Sequence, residues 1–203
     1  MSESRGEAAE ACEALLQTEV KSLRAQNRSL YPDQTLEQWF EQLLAHGFQR
    51  QVILHRRNGL RRLVSHLMAQ RSGVFVQSAA EPLAKQPPLL IKTAEIQEGA
   101  ETHNLLHWLD LYAATHQQLV ESLERFCAAQ GLPAPLQLVY EESLEADPQV
   151  AYRQLCAWLE LEPEPVTLLH RRINPEPLPQ LIANWEEICG LVEPTPYAWM
   201  LAA

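Results

Sequence analysis

Several common signals are missing from this 203-residue chain, and each absence narrows what it can be. No apolar run approaches the roughly 18 residues that a membrane-spanning helix needs. The segment Met1 to Glu7 is polar and acidic and lacks the apolar core of a secretory signal, so a cytoplasmic location is the simplest reading. The four cysteines, Cys12, Cys127, Cys156 and Cys189, stand far apart. With no CxxC and no Cys/His cluster, the sequence offers no metal site, and buried free thiols are expected. No internal repeat or low-complexity tract divides the chain, so residues 1–203 read as one domain. An excess of positive charge is also lacking. The net charge of -10 argues against a general binder of nucleic acid or of anionic membranes. Hydrophobic residues at 46% and charged residues at 21% fit an ordinary globular protein with a sizeable core.

One absence is local. No Asp or Glu occurs from Gln42 to Ala80, yet Arg50, Arg56, Arg57, Arg61, Arg62 and Arg71 all fall in that interval. An acidic protein that gathers arginine on one acid-free segment points to a local anion; the plainer alternative is a solvated helix face. The centre of the segment is Val52-Ile53-Leu54, a short apolar run suited to a buried strand, followed by Arg56 and Arg57. Asn58 can cap a helix that begins at Gly59, and Leu60, Leu63, Val64, Leu67 and Met68 then form an amphipathic stripe to about Arg71. Strand, basic turn and helix N-terminus together present free backbone N–H groups and two guanidiniums, a physical recipe for holding phosphate. Ser65, eight residues after Arg57, lies one turn beyond Arg61 at the border of the stripe. Its hydroxyl can donate to a phosphate oxygen that Arg57 binds bidentately, or it can be a small packing residue.

Elsewhere the pattern alternates. Residues 7–17 read as a helix and Glu19 to Leu23 as a short strand. A helix capped by Thr35 or Asp33 runs to about Ala45 and is ended by Gly47. Ser78 to Pro88 reads as a loop, and Leu89-Leu90-Ile91 as an extended run. A long helix capped at Thr102 reaches Gln130, followed by a strand over Leu136 to Tyr140. Asp147-Pro148 starts a helix to about Leu159, and a last helix covers roughly Leu178 to Leu191. Strands alternating with helices favour a parallel α/β sheet covered on both faces, with ligands at the carboxyl ends of strands.

Taken together, these stretches resemble the sulfotransferases that use 3′-phosphoadenosine 5′-phosphosulfate (PAPS), of bacterial type. Arg56-Arg57-Asn58 with Ser65 is similar to their 3′-phosphate-binding segment. Leu138-Val-Tyr-Glu-Glu-Ser-Leu-Glu-Ala-Asp-Pro148 resembles a Tyr-Glu-Asp-Leu…Asp-Pro pattern of the family, and the helix ending Leu155-Cys-Ala-Trp-Leu159 resembles the helix that comes after it. Asn184-Trp-Glu-Glu-Ile188 and Thr195-Pro-Tyr-Ala-Trp-Met-Leu201 resemble the C-terminus. The resemblance covers about residues 48–201, extends more weakly from Val20, and leaves residues 1–19 as a divergent helix. It implies a P-loop-like parallel sheet flanked by helices, and sulfuryl transfer from PAPS to a hydroxyl or amine of a small molecule or glycan. It assigns Arg57 and Ser65 to the 3′-phosphate, with Arg171 and Arg172 near a second basic contact. Tyr140 and Glu141 are expected to order the strand-end turn.

The family's Gly- and Ser-rich loop for the 5′-phosphosulfate has no counterpart before Lys21, where Gly6 is the only glycine. Lys21 matches a family lysine, but Leu23 stands where cytosolic animal-type members carry a catalytic histidine, so no general base is assigned. His46, His55 and His66 read as surface or packing residues. The chain is therefore expected to lack the N-terminal central strand and the catalytic half of the site, and to expose sheet edges through which it can oligomerise. The competing readings are a non-catalytic interaction module and, disfavoured by net charge, nucleic-acid binding through the Arg56–Arg71 helix. Acceptor choice would lie in loops such as Gln77 to Gln97.

Overall fold

The computed structural model describes residues 35–82 and 85–202. The expected helix 7–17, the strand 19–23, Lys21, Leu23 and Cys12 lie outside the described residues. The protein is mixed α/β and rich in helix. Helix α1 (Leu36–Ala45) opens with a reciprocal capping box. Thr35 Oγ1 accepts from Gln38 N at 3.2 Å, and Gln38 Oε1 accepts from Thr35 N at 2.9 Å. Strand β1 (Val52–His55) leads into helix α2 (Gly59–Ser72), capped by Asn58 as its sequence indicates and closed by Gly73 at φ 71°, a left-handed position that suits glycine.

A tight antiparallel hairpin comes next, β2 (Ile96–Glu98) and β3 (Glu101–His103), turning at Gly99 with φ 64°. The sequence pattern does not reveal this hairpin. Thr102, expected to cap the long helix, lies in β3, and Asn104 caps α3 (Leu105–Ala129) by accepting from His107 N at 2.9 Å. Strand β4 (Leu136–Val139) runs directly into the single-turn helix α4 (Tyr140–Ser143). Asp147 and Pro148 start α5 (Pro148–Leu159) as expected. The last helix divides into α6 (Leu178–Leu181) and α7 (Trp185–Val192), because Ile182 takes an extended conformation and bridges Leu89 in parallel. A 3₁₀ turn over Ala198–Ala202 ends the described chain.

Strands β1 and β4 pair in parallel, with Ile53 opposite Gln137 and Leu54 opposite Leu138. At 25 residues, α3 spans about 37 Å and serves as the spine. Its first half joins the α2 stripe, Ile91, Ile96, Leu178, Ile188 and Met200 in one core cluster. Its second half packs with Phe40 of α1 and Ile53 of β1 in another. Gly59 packs directly on this spine, where a Cβ would reach van der Waals contact with the Leu109 and Tyr112 side chains at 3.4 Å. The expectation of a parallel sheet covered on both faces is corrected. Ile53 is buried, but Val52 and Leu54 on the opposite face are 40% and 58% exposed, although their neighbour Leu138 is covered. Among the described residues the parallel sheet has two strands, and its second face is closed over β4 but not over β1.

Candidate functional site

The parallel pairing of β1 with β4 brings two distant sequence segments to one end of the sheet. Arg56, Arg57 and Asn58 leave the carboxyl end of β1 beside Tyr140 and Glu141 at the carboxyl end of β4. Asn58, 1% exposed, is where they join. Its backbone N–H donates to Glu141 Oε1 at 2.9 Å, its Oδ1 accepts from Arg61 N at 2.8 Å, and its Nδ2 donates to the Met200 carbonyl at 2.9 Å. One buried amide thus ties the β1–α2 turn, the segment after β4 and the C-terminal turn together.

Glu141 orders the turn, as expected. Its Oε2 also accepts from Arg57 N at 3.0 Å. Partial burial opposes ionisation of this carboxyl, but the N–H groups of Asn58 and Arg57 outweigh it and hold its pKa below the ordinary range. This corrects the phosphate recipe read from the sequence. The backbone N–H groups of Arg57 and Asn58 are not free for a ligand, because a carboxylate of the same chain accepts from both.

The acid-free arginine segment is likewise engaged at long range. Arg50 reaches Glu160 Oε1 at 2.8 Å and the Trp158 carbonyl. Arg71 donates to the carbonyls of Pro87 and Pro88, pinning the proline-rich loop. Arg62 lies over the Tyr112 ring, 4.0 Å from its centroid. Arg57 pairs with Glu142 Oε1 at 3.0 Å, with both side chains more than half exposed. Arg61, 6% exposed, donates to the carbonyls of Asn174 and Glu176. Arg56 stacks on the Tyr140 ring, 3.8 Å from its centroid, and Arg172 pairs with Glu145.

Three of these guanidiniums repel one another through space. Burial lowers the pKa of Arg56, and Arg172 adds to the effect, while Tyr140, Glu141 and Glu145 oppose it. Burial, then Arg172 and Arg56, bring Arg61 to about 10, so it stays charged at neutral pH. One charged cluster thus holds Arg56 on Tyr140, Arg172 on Glu145 and Arg61 on the Asn174 and Glu176 carbonyls. Of the four site residues taken from the resemblance, Arg57 and Arg172 flank the segment after β4. Ser65 sits half-buried on α2 and makes no hydrogen bond to these arginines among the described residues. Arg171 is tied at its backbone rather than through its side chain. Its backbone N–H donates to the Gln77 carbonyl, and its Nε and Nη2 are buried without an acceptor among the described residues.

Sequence reasoning missed Arg61 and Glu145 as members of the cluster. Their shared signal, an arginine on the first turn of α2 and a glutamate just past the helical turn after β4, is invisible until β1 and β4 pair. It also missed the pair of imidazoles at the end of β1. His55 and His116 stack at 3.5 Å with rings 5° from parallel. Burial first, then His116, Arg62 and Arg57, depress His55 to about 4, with Glu141 opposing; burial and Arg62 depress His116. Both shifts favour the neutral imidazole.

Comparison with family models, with characterised proteins and with solved structures returns no match. The class established by the coordinates is a helix-rich mixed α/β protein with a small parallel sheet.

Proposed function

We propose that this chain is a sulfotransferase-like protein of P-loop-like architecture that holds the 3′-phosphate end of PAPS, with sulfuryl transfer to a hydroxyl or amine as the associated chemistry. The observation that carries the reading is the convergence on Asn58. The three stretches that resemble the family, 56–65, 138–148 and 184–201, were picked out separately along the chain, and hydrogen bonds from one residue join all three. Random sequence likeness gives no reason for such a meeting; a common nucleotide site does.

The donor set fits a phosphate on guanidiniums rather than on the turn amides, which Glu141 already engages. Arg57 and Arg172 stand partly exposed at the carboxyl end of the sheet. The two buried N–H-bearing nitrogens of Arg171 without an acceptor are a further group that an anion would satisfy. In this reading Arg57 and Ser65 bind the 3′-phosphate, with Arg171 and Arg172 as the second basic contact. PAPS supplies the activated sulfuryl group. This chain's described residues orient the nucleotide and neutralise its 3′ end, and no proton acceptor is assigned.

Isothermal titration with adenosine 3′,5′-bisphosphate tests it. Binding that Arg57→Ala abolishes is expected; an absence of heat at millimolar ligand, or an unchanged affinity in Arg57→Ala, refutes it. A second reading, a non-catalytic module that completes its sheet with another chain, rests on the exposed Val52 and Leu54 of β1. It requires a concentration-dependent assembly that Leu54→Asp disperses, and a monodisperse monomer in light scattering excludes it.

A further inference from the structure

We propose that Arg61 is a positioning residue of the nucleotide site: its guanidinium ties the turn over residues 174–176 to the first turn of α2, and so places Arg172 against the 3′-phosphate that Arg57 holds. The inference rests on the sulfotransferase-like reading and deepens it, because it names the residue that keeps the two basic contacts in register.

The segment that carries Arg171 and Arg172 belongs to no helix or strand, and it is tied at two places. On one side Ala79 N donates to the Leu169 carbonyl at 2.9 Å and Arg171 N to the Gln77 carbonyl at 3.1 Å, around a bridge between Ser78 and His170. On the other side Arg61 Nη2 donates to the Asn174 carbonyl at 2.6 Å and Arg61 Nη1 to the Glu176 carbonyl at 2.5 Å. Arg172 lies between the two ties. Arg61 is itself anchored, because Asn58 Oδ1 accepts its backbone N–H at 2.8 Å, and Asn58 directly follows Arg57. Arg57 pairs with Glu142 and Arg172 with Glu145, so the two guanidiniums reach acids three residues apart in the segment after β4.

Arg61 is not itself a contact for the ligand. It is buried, both of its terminal nitrogens are engaged, and no carboxylate pairs with it among the described residues. Its acceptors are backbone carbonyls, which fix the path of the chain and leave the side chains of the segment to other partners. Arg171 shows that the segment offers donors beyond those its own chain uses, since its Nε and Nη2 are buried without an acceptor among the described residues. The two carbonyls stand on either side of Pro175, and Pro177 follows. Each proline fixes φ and supplies no N–H, so the turn is stiff and one outside donor sets its position. A planar guanidinium fork serves both carbonyls at once, which the single nitrogen of lysine does not reproduce.

The test is a double-mutant cycle in the full chain, with the affinity for adenosine 3′,5′-bisphosphate measured by isothermal titration. Arg172→Gln is expected to weaken binding roughly tenfold, the lower end of what one charge-assisted hydrogen bond carries. Arg61→Met, which removes both donors, should weaken it by a similar factor. Combined with Arg172→Gln it should add less than about twofold, because a residue that acts through Arg172 has nothing left to position. Arg61→Lys keeps the charge but not the fork, and should still lose at least about threefold. Arg71 is the control, since it too donates to backbone carbonyls, those of Pro87 and Pro88, at the far end of α2; Arg71→Met should leave affinity within about twofold. Losses from Arg61→Met and Arg172→Gln that add to roughly a hundredfold overturn the proposal, as does natural affinity in Arg61→Lys or an equal loss in Arg71→Met. If the natural chain binds and Arg57→Ala abolishes binding while Arg61→Met leaves it unchanged, the positioning role falls and the nucleotide reading stands. If the natural chain does not bind at millimolar ligand, both fall. Should Arg61→Met fail to fold, Arg61→Lys takes its place in the cycle with the same requirement of non-additivity.

Discussion

Replacing Asn58 by Ala should be among the most damaging single changes outside the hydrophobic core. The side chain is 1% exposed and acts in two directions. Its Oδ1 caps α2 through Arg61 N, and removing a cap of this kind costs roughly 0.5–2 kcal/mol. Its Nδ2 serves the carbonyl of Met200, a residue 4% exposed, and stranding a buried acceptor costs roughly 1–3 kcal/mol. Together these give about 3 kcal/mol, since neighbouring effects are not fully additive. For a domain of this size that is a fall in Tm of about 6–12 °C. The assay is urea unfolding followed by circular dichroism, with attention to whether the slope m stays constant, which ascribes the change to stability rather than to a different end state. Asn58→Ser separates the two halves, because serine caps helices well but offers no amide donor to Met200; it should cost about half as much as Asn58→Ala. A loss below about 0.5 kcal/mol for Asn58→Ala, or equal losses for the two variants, would refute the account of Asn58 as a two-sided junction.

Two further outcomes concern buried polar groups. His55 is depressed below its ordinary 6.5 to about 4, so the unfolded chain binds its proton more tightly than the folded one. The neutral ring stabilises the fold above about pH 6.5, and that contribution is lost as pH falls towards 4. The shift alone converts to about 3 kcal/mol, which screening of this partly exposed ring reduces to about 1 kcal/mol. Urea midpoints at pH 7 and pH 5 read it, and His116→Ala should raise the His55 pKa measured by NMR; a fixed pKa would remove the stacked partner as a cause. Tyr112→Phe should cost roughly 1–3 kcal/mol in thermal unfolding, because Glu98, 3% exposed, loses the phenol that donates to its carboxylate. Adding Glu98→Gln should recover part of that loss, and strict additivity of the two changes would show that the pair is not coupled.

How far the sequence could be read depended on how local each signal was. The Asn58 cap, the α2 stripe, the cap at Thr35 (one of two candidates with Asp33) and the Asp147-Pro148 start are patterns within a few residues of one another, and the structure contains each of them. The hairpin over 96–103 was hidden because its strands are three residues long and show no extended alternation. The break at Ile182 was hidden because the apolar spacing around it still reads as one helix; its bridge to Leu89, far away in sequence, decides otherwise. At the site, the residue types were legible and their partners were not. Six arginines without a nearby acid imply an anion, but Glu160 and Glu142 pair with Arg50 and Arg57 from the other half of the chain, and Glu141 accepts the Arg57 backbone N–H.

The junction at Asn58 also sets an order of events. Its partners Glu141 and Met200 lie 83 and 142 residues further along the chain. At a synthesis rate of roughly 5–20 residues per second, about 7–28 s pass between the appearance of Asn58 and that of its last partner, a separation of 142 residues. For the first 83 of those residues the α2 segment has neither Glu141 nor the C-terminal turn to receive it, and for the rest it still lacks the turn. Non-local closures of this kind slow folding. The apolar stripe of α2 can meet Leu105, Trp108 and Leu109 of α3 early, whereas the Nδ2 donor of Asn58 waits for its acceptor until Met200 arrives.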